Sequence, residues 1–280
     1  MKKMLLLLCT ISVLASCTSA KIDVRSKGVV LRDNVVVHYL EAGQGPALVL
    51  VHGLGSSSDV WSADIDSLAK TYRVIALDLP GYGKSDKPRA DYSIGYHAAM
   101  LKEFIDAVGE SKVAIAGNSM GGWIAAVFTL NNPEKVSHLI LVDSAGLQRE
   151  PYPPSDLNPS TKEEQKTLLL ALYADPSRVT ERMVNDQWEY HRDTRATVQA
   201  TLDSLKTKMP LLDRRLTDIR IPTLIIWGKQ DSLIPLEFAG QFAKGIHGST
   251  LVVIDKAGHL PQVEQPGAFC RAVKRFVRSW

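Results

Sequence analysis

The sequence predicts an α/β fold, a mainly parallel sheet with helices on both faces and one helical insertion. Three observations carry this. Short apolar runs rich in branched residues alternate with stretches of helical spacing over 29–146 and again over 219–280. A Gly-x-Ser-x-Gly turn joins one apolar run directly to a helix-like segment. Residues 147–218 carry helix signals but no strand signal, and a compact domain does not leave that length as a structureless loop.

Each element follows in turn. Residues 17–28 are polar and mixed and read as a tether. Residues 29–31 and 35–41 alternate around Asp33-Asn34, a turn signal, so they predict a β-hairpin. Residues 47–51 are a buried-strand run that stops at His52-Gly53-Leu54-Gly55. A helix over 61–70 and a strand over 73–77 lead to Asp78-Leu79-Pro80-Gly81-Tyr82-Gly83. A helix over 94–108, a strand over 113–116, a helix over 120–131 and a strand over 137–142 follow. Pro151-Tyr152-Pro153-Pro154 is a linker signal. Helices are then expected over 161–173, 179–190 and 194–206, the first with Ser160 and Glu163 at capping-box spacing. A strand over 223–227, a helix over 236–244, a strand over 251–254 and an amphipathic helix over 266–280 complete the chain. The result is eight strands in a core of 29–146 and 219–280, with a helical cap over 147–218 after the sixth strand.

Bulk properties narrow the function. The 280 residues are enough for one large domain with a buried core. Hydrophobic content of 45% and charged content of 22% are those of a globular protein. The net charge of +3 includes Lys2 and Lys3, and no basic block is dense enough to hold nucleic acid. Of the three cysteines, Cys9 and Cys17 lie in the leader and Cys270 is left unpaired. That excludes a disulfide framework and a cysteine-based metal site.

The leader reads as an address. Met1-Lys2-Lys3 precedes an apolar run over 4–15, too short to span a bilayer and of signal-peptide length. Leu14-Ala15-Ser16-Cys17 resembles the lipobox of bacterial lipoproteins. The resemblance implies cleavage after residue 16 and a diacylglycerol on Cys17. It places the protein in the bacterial envelope, held to the membrane through lipidated Cys17. Thr18 rather than Asp after the cysteine points to the outer membrane where the source has one.

The chemistry centres on Ser119 within Gly117-Asn118-Ser119-Met120-Gly121-Gly122. A strand leading into Gly-x-Ser-x-Gly and then a helix is the layout of a nucleophile elbow. Gly117 and Gly121 keep side chains out of the crowded junction. In parallel sheets ligand sites lie beyond the carboxyl ends of the strands. His52, Asp78, Ser119 and Asp143 all fall there and should share one rim.

Five motifs stand in a fixed order: His52-Gly53-Leu54-Gly55, Asp78 to Ser85, the Ser119 elbow, Gly228-Lys229-Gln230-Asp231, and Ala257-Gly258-His259-Leu260-Pro261. In this order they resemble the α/β-hydrolase fold superfamily over nearly the whole chain after the leader. The resemblance implies Ser119 as nucleophile, His259 as base and Asp231 as the acid that orients it, in the chain order known for this fold. Asp143, also at a strand end, competes with Asp231 for the acid's role. The backbone N–H groups of Leu54 and Met120 are the implied oxyanion donors. His52 is implied to support the oxyanion loop, and Asp78 to be structural. Such chemistry needs no metal and no cofactor.

The expected substrate is a carboxylic ester, small or lipidic, cleaved through an acyl-enzyme on Ser119 by an esterase or lipase. The elbow also resembles that of the carbon–carbon bond hydrolases of vinylogous diketones, although those usually have Trp where Leu260 stands. A third reading is a non-catalytic binding protein of this fold. Leu168, Leu169, Leu172, Met183, Trp188 and Tyr190 are candidates for an acyl pocket, or for packing the cap on itself. Oligomeric state is not legible in the sequence.

Overall fold

The computed structural model describes residues 22–148 and 157–277. The leader with Cys17 and the Pro151–Pro154 linker signal lie outside these residues. One eight-stranded sheet runs β1 (Arg25–Val30), β2 (Val36–Ala42), β4 (Arg73–Leu77), β3 (Ala47–Val51), β5 (Val113–Asn118), β6 (Val136–Val142), β7 (Thr223–Gly228), β8 (Thr250–Ile254) in spatial order. β2 is antiparallel to both β1 and β4, and every other neighbouring pair is parallel. This is the mostly parallel sheet that the sequence predicts.

The strands of this sheet are buried on both faces, which is why they read as continuous apolar runs. Along β3, Ala47, Val49 and Val51 enter one core layer while Leu48 and Leu50 enter the other. The first layer is roofed by α2 (Ile94–Ala107), α3 (Met120–Asn131) and α6 (Glu237–Gly245), with Phe104, Phe128 and Phe242 fully buried. The second lies under α1 (Ser62–Leu68) and α8 (Pro266–Val277), where Trp61 packs on Phe269 at a centroid distance of 5.8 Å. Burying an aromatic of this kind stabilises the fold by roughly 1.5–3 kcal/mol.

The cap consists of α4 (Lys162–Leu172) and α5 (Glu181–Leu205), inserted between β6 and β7. A short helix α7 (Pro261–Glu264) precedes α8. None of the described helices is long and apolar enough to cross a membrane.

Three local expectations are corrected. β1 begins at Arg25, inside the stretch read as tether. As an edge strand it exposes most of its residues, so its polar composition hides its pairing. The two helices expected over 179–190 and 194–206 are one 25-residue helix. No Gly or Pro interrupts it, and the buried residues His191, Thr194, Thr197, Val198 and Thr201 keep helical spacing through the supposed break. Finally, the N-cap of α4 is Thr161, which accepts from the Glu164 N–H. Glu164 Oε2 reaches back to the Ser160 N–H at 2.6 Å, so the capping pair is one residue later than the spacing suggests.

Candidate active site

Ser119 sits between β5 and α3 with φ +56° and ψ −120°, a conformation that L-residues adopt only under constraint. The constraint is packing. A Cβ on Gly117 would lie 2.2 Å from Gly121 O, and one on Gly121 would lie 2.3 Å from Val51 O. Only glycine at both places lets the helix start against β3 and leave the serine hydroxyl at the sheet rim.

His259 follows β8 on a buried loop and is 2% exposed. Its Nδ1–H donates to Asp231 Oδ2 at 2.7 Å. Asp231 is fixed in turn, because its Oδ1 accepts the Leu233 N–H at 2.8 Å and the Ile234 N–H at 2.9 Å. These two backbone donors fix the orientation of the carboxyl toward the imidazole. With Nδ1 carrying the proton, Nε2 is left as the free base. Ser119 and His259 line one cavity. The described hydrogen bonds include none between Ser119 Oγ and His259 Nε2, a contact that commonly tightens only around substrate.

Leu54 and Met120 line the same cavity. Met120 opens α3, where the first N–H groups of a helix have no intrahelical acceptor. The loop carrying Leu54 presses against the serine, since a Cβ on Gly53 would lie 3.1 Å from Ser119 Cβ. His52 braces that loop. Its Nε2 accepts the Leu79 N–H at 3.0 Å, so Nδ1 carries the hydrogen and donates to Gly53 O at 2.8 Å. Burial lowers its pKa and keeps the ring neutral, against the pull of the Asp78 charge. Asp78 is a structural anchor. It accepts from Ser58 N–H, from Lys84 N–H and from the His38 ring.

Asp143 also reaches this centre, but its Oδ1 accepts the Gly228 N–H at 2.9 Å and not the imidazole. Asp255 points outward to Lys229 at 2.8 Å. Cys17 lies outside the described residues.

Sequence reasoning gave no role to Asn118 or Glu264, and it put Tyr190 in the pocket without its tie to the core. Asn118 Nδ2 donates to His259 O at 3.1 Å and Val142 O at 3.2 Å, tying the elbow to the base's loop. Glu264, 3% exposed, accepts the Gly258 N–H at 2.6 Å and the Ala174 N–H at 3.0 Å. Tyr190 of α5 donates to Ser56 O at 2.6 Å and accepts the Gly83 N–H at 3.0 Å. An acid set among Leu260, Pro261 and Val263 is the one signal among these that the sequence offers.

The cavity over Ser119 has a volume of about 1020 Å³, at the upper end of the range of ~300–1,000 Å³ usual for ligand pockets. Leu168, Leu169, Leu172, Met183 and Tyr190 line it from the cap, as expected, whereas Trp188 stacks on His191 at 5.8 Å and is not among the lining residues. Leu147, Leu205, Met209 and Phe238 extend the apolar wall, and Asp59 is the one charged residue among the described lining.

Comparison with known proteins fits this geometry. The α/β hydrolase fold family matches residues 46–266. A 2-hydroxy-6-oxo-6-(2'-aminophenyl)hexa-2,4-dienoic acid hydrolase of Metapseudomonas resinovorans is 34% identical over 256 residues, covering 87% of this chain and 88% of that protein. The crystal structure of a bacterial membrane phospholipase A superposes with TM-score 0.80 at 29% identity, over 92% of this chain and 86% of the other. The 2-hydroxy-6-oxo-6-phenylhexa-2,4-dienoate hydrolase of a Rhodococcus superposes with TM-score 0.83 at 25% identity, over 92% and 99%. Curated relatives named for dienoic acid substrates, which are vinylogous diketones, favour the carbon–carbon reading over the ester reading. At the level that both readings share, this chain belongs to the α/β-hydrolase family and is a hydrolase.

Proposed function

We propose that the chain hydrolyses esters of apolar carboxylic acids through an acyl-enzyme on Ser119. The observation that carries this is the apolar wall that Leu147, Leu168, Leu169, Leu172, Leu205 and Phe238 give the cavity over Ser119. The acyl chain of an ester gains by burial against such a wall at ~0.8 kcal/mol per CH₂.

The steps follow from the geometry. Ser119 Oγ attacks the carbonyl carbon while its proton passes to His259 Nε2. The imidazolium is stabilised by Asp231 at 2.7 Å. The oxyanion forms between the N–H groups of Leu54 and Met120. The C–O bond to the alcohol breaks, and the alcohol leaves with the proton from His259. Water then repeats the sequence on the acyl-enzyme and releases the carboxylic acid.

A second reading, hydrolysis of a carbon–carbon bond in a vinylogous diketone on the same residues, is favoured by the names of the curated relatives. Two assays on one preparation separate the readings: release of p-nitrophenol from esters of two to sixteen carbons, and loss of the 2-hydroxy-6-oxo-6-phenylhexa-2,4-dienoate chromophore. Ester turnover that vanishes in Ser119→Ala supports the proposal. Turnover of the dienoate with no ester cleavage overturns it in favour of the second reading. Cleavage of neither by a folded protein points to a non-catalytic role.

We also propose lipidation at Cys17. The support is the lipobox-like Leu14-Ala15-Ser16-Cys17 behind a short apolar run, and two or more acyl chains make a stable anchor. Radiolabelled palmitate should enter the wild-type protein and not Cys17→Ala; labelling of both would sink the assignment.

A further inference from the structure

The carboxyl of Asp143 has no task in that scheme, yet it is built into the centre. It projects from the end of β6 with no solvent exposure. Its backbone sits at φ +43°, in the left-handed region that is uncommon for a non-glycine residue. Oδ1 accepts the Gly228 N–H, while Oδ2 is buried without a partner among the described residues. One donor atom each of Asp143, Asp231 and His259 lie within 4.8 Å of one another. Asp231 has no spare backbone donor to share, because Leu233 and Ile234 hold Oδ1 and His259 holds Oδ2.

Two buried carboxyls this close do not both ionise. Asp231 has the backbone donors and the imidazole, so it takes the charge. Burial and the Asp231 charge push the Asp143 carboxyl well above the ordinary range, and Glu264 adds to the push. A neutral acid brings an O–H, and the orphaned Oδ2 is where that hydrogen belongs.

We propose that Asp143 is a positioning residue: a neutral acid hydrogen-bonded to the Asp231 carboxylate, which ionises and orients His259 in its place when Asp231 is removed. The inference rests on the triad of the preceding section but not on the substrate, since Asp143 acts through His259.

The test therefore reads the triad without a natural substrate. A fluorophosphonate probe phosphonylates Ser119: the Oγ–P bond forms, the P–F bond breaks, the hydroxyl proton passes to His259 and fluoride leaves. Removing the acid of such a triad typically costs ~10⁴-fold in rate, whereas Asp231→Ala should lose only about 10²-fold here. The residual rate of Asp231→Ala should rise with pH, as Asp143 must now ionise. Asp143→Asn added to Asp231→Ala should lose at least a further ~30-fold and abolish that rise, in the non-additive manner of residues that act as a unit. Equal rates for Asp231→Ala and the double variant overturn the proposal. An unlabelled wild type overturns both the triad and this inference.

A second measurement covers the case in which Asp231→Ala does not fold. The infrared difference spectrum of wild type minus Asp143→Asn at neutral pH should contain the carbonyl stretch of a protonated carboxylic acid. A carboxylate band in its place overturns the proposal.

Discussion

Asp64 shows how a single buried group sets a pH dependence. It lies on α1 with no exposure, and its Oδ1 accepts from Cys270 Sγ at 3.2 Å. Oδ2 has no partner among the described residues, and burial pushes the carboxyl up to about 8. Its unfolded value is near 3.8. Between those values the unfolded chain has lost the proton and the folded chain keeps it. Stability therefore falls as pH rises from about 4 to about 8 and levels off above. Asp64→Asn should remove that slope. In urea unfolding it should gain about 2–4 kcal/mol over wild type at pH 8 and nothing at pH 4. An equal gain at both pH values would show that the carboxyl does not change its protonation on folding. Cys270 itself, pushed up to about 12 by burial and by Asp64, stays a thiol.

Elements matter here through what they hang from one another. α5 is about 37 Å long at 1.5 Å per residue and touches the core through Tyr190 and Thr201. Thr201 shares a hydrogen bond with the Tyr82 hydroxyl at 3.1 Å. Tyr190→Phe would leave Ser56 O without its donor and the Gly83 N–H without its acceptor. A loss of about 1–2 kcal/mol in stability is expected. Because Tyr190 lines the cavity and does not touch the reacting atoms, KM should rise several-fold with kcat nearly unchanged. A fall in kcat alone would mean that Tyr190 acts on the chemistry. α4 is fastened at its other end. Its C-terminus gives Leu172 O to the His259 N–H at 2.8 Å and Ala171 O to the Ser232 hydroxyl at 2.8 Å.

These ties explain what could be seen in the sequence. Motifs that meet a local steric or conformational demand were legible: the glycines around Ser119, the apolar strand runs, the loop of His259. β1 was hidden because an edge strand exposes most of its side chains, and the continuity of α5 because Arg192 and Asp193, between the two expected helices, are both exposed. Asn118 and Glu264 were missed, as was the tie of Tyr190 to the core, because their partners are long-range: 141 residues away for His259 O, 90 for Ala174 and 134 for Ser56. Asp143 and Asp231 competed in the sequence because both end strands. Only the fold shows that they stand side by side.

At the scale of the whole molecule, the described wall of the cavity begins at Gly53. On the ester and lipidation proposals, a chain starting at Ile22 should turn over a soluble ester within about two-fold of the full-length protein and should be absent from the membrane fraction. A large loss of turnover would mean that residues 1–21 also shape the site.

The hydrogen bond from His259 to Leu172 has one more consequence. The insertion of this chain is not an interchangeable lid. Grafting the corresponding segment of a relative onto this core would replace the carbonyl from which the base is suspended, along with the amides that Glu264 holds. Breadth of substrate in such a molecule is to be gained by altering side chains within its own cap, because a transplant must also rebuild the backbone seat of His259.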